Sequence, residues 1–138
     1  MKISLKLEYA CRVLAQLGRL YGGGQLAHIE ELAKIEAVPQ NYLVQILNEL
    51  RTGGLLVSRR GKQGGYSLSK KPTDISLLAI VSIIDPDLTE SKVSLKGQSG
   101  TQVSEVWSEL SARFKKALQK TTLASLISRY DAGAMYDI

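Results

Sequence analysis

The sequence is poor in the side chains that do chemistry. It has one cysteine, Cys11, one histidine, His28, and three prolines in 138 residues. A lone cysteine closes no disulfide within its chain and builds no cysteine cluster. Cys11 and His28 fall on different expected helices, so no nucleophile–base pair emerges. Phosphate-loop, dinucleotide and metal-ligand spacings are all missing, and no cofactor is expected. An enzyme is therefore the weakest class of reading. No apolar run reaches the ~18 residues needed to span a bilayer. The opening MKISLKLEYACRVL mixes polar and apolar residues, unlike a signal peptide. A cytoplasmic protein with no membrane partner is the expectation.

What the sequence does have is positive charge in one half. Net charge is +5, yet residues 1–72 hold 11 Lys/Arg against 5 Asp/Glu, and the remainder holds 7 against 8. This asymmetry suggests a polyanionic partner for the first half, nucleic acid first. A merely solvated basic surface explains charge alone equally well. The hydrophobic fraction of 44% supports a genuine core and one domain, with or without an extension.

Periodicity supplies the organisation. Ala10, Val13, Leu14 and Leu17 form the apolar stripe of a helix over 4–21, ended by Gly22-Gly23-Gly24. A short helix over about 28–35 turns Ile29, Leu32 and Ala33 inward. Pro39 suits the first turn of the next helix, which runs to about Thr52 and buries Leu43, Ile46, Leu47 and Leu50. Two helices joined by about four residues make a helix-turn-helix layout. After Gly53-Gly54 the period changes. LLVSR and GYSLS read as strands joined by RGKQGG, a β-hairpin placed directly after the helix-turn-helix.

ISLLAIVSII, residues 75–84, reads as a buried helix too apolar to expose any face, with Thr73 or Asp74 as its cap. Residues 86–101 read as a loop. A long amphipathic helix follows from about Val103 to Gln119, striped by Val103, Val106, Trp107, Leu110, Phe114 and Leu118. A stripe of that length beyond the core needs a partner surface, and a second copy of the chain is the simplest. Thr122 is placed to cap a last short helix, LASLIS, and the tail from 131 to 138 is expected to fray. The expected division is a winged helix-turn-helix over 1–85, a flexible loop over 86–102, a dimerisation helix and short helix over 103–130, and the tail. The fold class is mainly α with a small β-hairpin.

The side chains left outward on the second helix of the pair include Gln40, Asn41, Val44, Gln45, Asn48 and Arg51. Asparagine and glutamine can pair bidentately with adenine edges in the major groove, and Arg51 sits where a phosphate would lie. The hairpin tip carries Arg59, Arg60, Lys62 and Gln63, with glycines at 61, 64 and 65 that permit positive φ and close approach. Arginines on such a tip can enter a narrow minor groove. Each residue alone is unremarkable as solvated surface. Their order together points to double-stranded DNA. His28 reads as a partly exposed polar residue opening the short second helix. Cys11 reads as a small buried hydrophobe or, alternatively, a redox-sensing thiol.

The run IEELAKIEAVPQNYLVQILNELRTGGLLVSRRGKQGGYSLSKKP, then ISLLAIVSIID, and later the tryptophan and TTLASL resemble the Rrf-two family of bacterial winged-helix transcription regulators. The match covers nearly the whole chain. The resemblance implies a homodimer joined by the long helix and a pseudo-palindromic operator, and the leading reading is a dimeric, sequence-specific repressor. It carries DNA contacts onto Pro39, Asn41, Val44, Gln45 and Arg51 and wing contacts onto Arg60, Lys62, Gln63, Gly64 and Gly65. Val44 replaces a glutamate of some members, so their base preference does not transfer. Cluster-binding members carry three cysteines before the long helix, whereas residues 86–106 contain none. Thiolates are the usual ligands of an iron–sulfur cluster. The signal is therefore expected to come from a protein partner or small-molecule effector. Glu8 and Cys11, two ligands from each chain, would make a different site from the family's. A second reading makes the chain an interaction module whose long helix and 86–101 loop dock a protein or small ligand, with DNA binding secondary.

Overall fold

A computed structural model describes residues 1–136, with side chains as far as residue 129. Its elements run α1 (Leu5–Arg19), α2 (Ile29–Ile35), α3 (Gln40–Thr52), β1 (Leu56–Arg59), β2 (Gly65–Leu68), α4 (Leu77–Ile84), α5 (Gly100–Lys120) and α6 (Leu123–Tyr136). Short 3-10 turns at Pro72–Asp74 and Pro86–Thr89 precede and follow α4. This is the expected winged helix-turn-helix with a long C-terminal helix.

α1 forms where the stripe placed it. Ser4 caps it by accepting the Leu7 N–H at 3.1 Å. Ala10, Val13 and Leu14 are fully buried, and the helix stops at Arg19, just before the glycine run. Gly22 and Gly24 then take φ of 85° and 72°, a left-handed region open to glycine at little cost. Leu43, Ile46, Leu47 and Leu50 of α3 complete the centre of the core against α1, α2 and α4. Leu68 and Leu56 fasten the hairpin to it from above.

Several expectations are corrected. Neither Thr73 nor Asp74 caps α4, because Pro72–Asp74 forms its own turn; Ser76 caps it, accepting the Ala79 N–H at 3.1 Å. α4 is not wholly buried. Ile80, Val81 and Ile84 face the core, Leu77, Leu78 and Ile83 are half-buried, and Ser82 is exposed. The helix packs on α1, α3 and α5, and these elements leave Ser82 exposed. α5 starts three residues early, at Gly100. That glycine is buried, and a Cβ there would overlap the Leu95 backbone. The 86–101 stretch is a loop only between its ends, since Pro86–Thr89 is a 3-10 turn with Thr89 buried and α5 begins at Gly100.

Thr122 does cap the last helix, accepting the Ser125 N–H at 3.2 Å. α6 is longer than LASLIS and runs to Tyr136; residues 137 and 138, the end of the expected tail, lie outside the described residues. Ser76 and Thr122 form an isolated antiparallel bridge, with Leu77 N–H to Thr121 O and Leu123 N–H to Ile75 O both at 2.8 Å. Leu123 is fully buried, and α6 packs on α1. The chain thus leaves the core along α5 and returns to it in α6.

Candidate nucleic-acid interface

α3 divides cleanly by face. Its apolar stripe is buried, while Gln40, Asn41, Val44, Gln45, Asn48 and Arg51 are all exposed. Pro39 is the cap residue rather than the first helical one, with φ −57° and ψ 131°, and its carbonyl accepts the Tyr42 and Leu43 N–H groups at 3.1 Å. The turn before it is tight. Ala37 is the one non-glycine among the described residues at positive φ, 54°, and Val38 N–H returns to Ala33 O at 3.0 Å. Arg12 of α1 holds this turn, donating from Nη1 to the Glu36 carbonyl at 3.1 Å. Its guanidinium lies 5.0 Å from the centre of the Tyr9 ring, and Tyr9 meets Tyr42 of α3 edge-on at 6.2 Å. Lys6 of α1 reaches both Glu49 carboxylate oxygens, at 2.7 and 2.6 Å. Two α1 contacts therefore fix how α3 sits. None of them was visible from periodicity, since they join residues more than twenty positions apart.

The wing pairs Leu56 with Leu68 and ends with Arg59 opposite Gly65. Its tip closes through Gly64 N–H to Gly61 O at 3.0 Å, with Gly61 at φ 105°. Gly64 is buried, and a Cβ there would overlap the Arg59 carbonyl oxygen. The glycines the sequence singled out are thus steric requirements of the turn.

α3 and the wing enclose a single open cleft of about 610 Å³. Asn41, Val44, Gln45, Asn48 and Arg51 line one wall; Arg59, Arg60 and Gly65 line the other. Arg51 Nη2 donates to Asn48 Oδ1 at 2.8 Å across the helix face. Pro39, Gln40, Lys62, Gln63 and Gly64 do not border this cleft. Gln63 instead borders a second concavity of about 1030 Å³ on the hairpin's other side, shared by Arg59, Arg60 and the 20–26 loop. Lys62 is exposed at the tip. Ser58 and Tyr66 also line the first cleft and were not anticipated. Ser58 lies in a run of three exposed strand positions, 57–59, so no alternation of faces marked it.

On α5, Val103, Val106, Trp107 and Leu110 are 44–56% exposed, an apolar face that the described residues leave uncovered. Phe114 and Leu118, of the same expected stripe, are half-buried instead. Leu118 packs against the chain's own core, and Phe114 borders a cleft with Leu88 and Val93. Among the described residues no helix is long and apolar enough to cross a membrane.

Comparison with known proteins agrees with this fold. The family model described as Rrf2, iron-dependent transcriptional regulator, matches residues 3–129. The transcriptional regulator CymR of Bacillus subtilis is 30% identical over 131 residues, covering 95% of this chain and 93% of its own. A solved structure of CymR, described as the global cysteine regulator of B. subtilis, superposes with a TM-score of 0.81 at 27% identity, covering 94% of this chain and 98% of the other. IscR of T. potens superposes with a TM-score of 0.76 at 26% identity, over 94% and 88% of the two chains.

The family description raises the question of iron, and the donors present do not fit an iron–sulfur cluster. Residues 86–106 hold no cysteine. Cys11 is half-buried against the core, and burial pushes its thiol above its ordinary pKa, away from the thiolate a cluster requires. Glu8 lies 3.7 Å from Arg12. Among the described residues no three His, Cys, Asp or Glu side chains gather as a metal site.

Proposed function

The chain belongs to the Rrf2 family of transcriptional regulators, and on that premise we propose that it is a dimeric, sequence-specific DNA-binding repressor. The observation that carries this reading is the shared cleft of α3 and the wing, in which Asn41, Gln45 and Asn48 face Arg59 and Arg60. Each copy lays residues 40–51 in the major groove and residues 59–65 in or beside the adjacent minor groove. A helix fits the major groove, amides there pair with base edges, and the arginines neutralise phosphate or enter the minor groove. The lysine and glutamine at the tip, Lys62 and Gln63, reach the backbone outside the cleft, as do Pro39 and Gln40 at the start of α3.

The exposed face of Val103, Val106, Trp107 and Leu110 supports a dimer, since isologous pairing of two α5 helices removes it from water and gives a pseudo-palindromic operator. A dimer seated on a promoter represses by occupying it. Its signal does not come from a conventional iron–sulfur cluster, because the donor set is wrong. A protein or small-molecule effector takes that role.

The test is affinity for DNA from upstream of its own gene across a salt series. A steep fall with salt and a preference of about 10³ or more over random DNA are expected. Weak binding without preference would turn the assignment toward an interaction module that docks partners on α5.

A further inference from the structure

The cleft holds one aliphatic side chain, Val44, and it is 54% exposed at the middle of an otherwise polar wall. Asn41 stands one turn before it on the same helix, Gln45 beside it and Asn48 one turn after. The other exposed apolar residue of α3, Tyr42, is engaged with Tyr9 and lies outside the cleft. Val44 does not belong to the buried core, so packing does not account for it.

We propose that Val44 reads the C5-methyl group of a thymine in each half-site. This deepens the DNA-binding reading and rests on it. The argument is one of elimination by chemistry. In the major groove every base edge presents hydrogen-bond donors or acceptors, and thymine alone adds a methyl group. A valine pressed against a purely polar edge strips water from groups it cannot bond, which costs free energy. Against a methyl group the same side chain buries apolar surface on both partners. Valine is also stiff about χ1 in a helix, so little side-chain freedom is lost when it docks. The flanking amides supply hydrogen bonds to neighbouring bases and fix the register of the contact.

The experiment uses the wild-type protein and a duplex carrying the footprinted site upstream of its own gene. Each thymine of the site is replaced in turn by deoxyuridine, which keeps every hydrogen-bonding group and removes only the methyl. Affinity is read by fluorescence anisotropy at one fixed salt concentration. One position per half-site is expected to weaken binding about four-fold, and both together on the order of fifteen-fold. In the Val44→Ala protein, the thymine and uracil duplexes are expected to bind alike. Wild-type binding that ignores uracil at every thymine overturns the proposal. So does a Val44→Ala protein that keeps the full uracil penalty, since another side chain would then hold the methyl. A protein with no footprint at all overturns the DNA-binding reading itself, and this inference with it.

Discussion

Ala27 and Tyr66 exchange both of their backbone hydrogen bonds, Ala27 N–H to Tyr66 O at 2.9 Å and Tyr66 N–H to Ala27 O at 2.8 Å. The two residues tie the wing to the segment that enters α2. This isolated antiparallel bridge gives the two-stranded hairpin a third backbone partner. A lone hairpin is marginal in water, and a third strand position is what stabilises it. The bridge also aims the tip, because it holds the start of β2 close to the helix-turn-helix.

Gly65→Ala tests that relationship. Gly65 has φ of 145°, and an added Cβ would stand 2.6 Å from the Ala27 carbonyl oxygen. The variant is expected to lose about 1–3 kcal/mol of stability in urea denaturation. It should also lose operator affinity, because the wing no longer sits against α3. An unchanged midpoint would mean that the bridge tolerates a side chain and does not aim the wing.

Arg60 borders both concave faces of the hairpin. Arg60→Ala is expected to weaken operator binding by about 1–3 kcal/mol without altering the fold. Binding as tight as wild type at equal salt would remove the wing from the interface.

Leu110 lies in the exposed apolar face of α5, 44% exposed. Leu110→Asp places a charge where two α5 helices would meet, which costs far more than any contact it makes in water. Sedimentation should shift from dimer to monomer, and operator affinity should fall with it. A variant that remains dimeric would assign the interface to another surface.

Cys11 gives a pH dependence with a defined sign. Burial raises its folded pKa above the ordinary value of 9.0, so the unfolded chain releases the thiol proton first as pH rises. The stabilisation is fully present below that ordinary value and is lost as pH climbs from it through the folded pKa. Relative to Cys11→Ala, the wild type should therefore lose denaturation stability only in that alkaline window. Equal pH profiles for the two proteins would place the thiol in water. Slow alkylation of the native protein compared with the unfolded one checks the same burial independently.

The sequence by itself determined the parts whose signals are local. Leu43, Ile46, Leu47 and Leu50 recur at helical spacing, and all four are buried. Gly53-Gly54 and Gly64-Gly65 punctuate the chain where φ or steric room demands glycine, so the helix-turn-helix and the wing were legible as a pattern. The outward face of α3 followed from the inward one, because a helix has only two sides to divide. Tertiary structure alone decided what joins distant segments. Ala27 meets Tyr66, Lys6 meets Glu49, and Ser76 meets Thr122, each through contacts that no period of two or 3.6 residues encodes. The start of α5 at Gly100 depends on the Leu95 backbone beside it. The same holds for the cleft, which Val44 and Arg60 come to share only because hairpin and helix pack on one core. Backbone periodicity is written residue by residue, whereas the pairing of segments is settled by which packing buries the most apolar surface with the fewest unpaired polar groups.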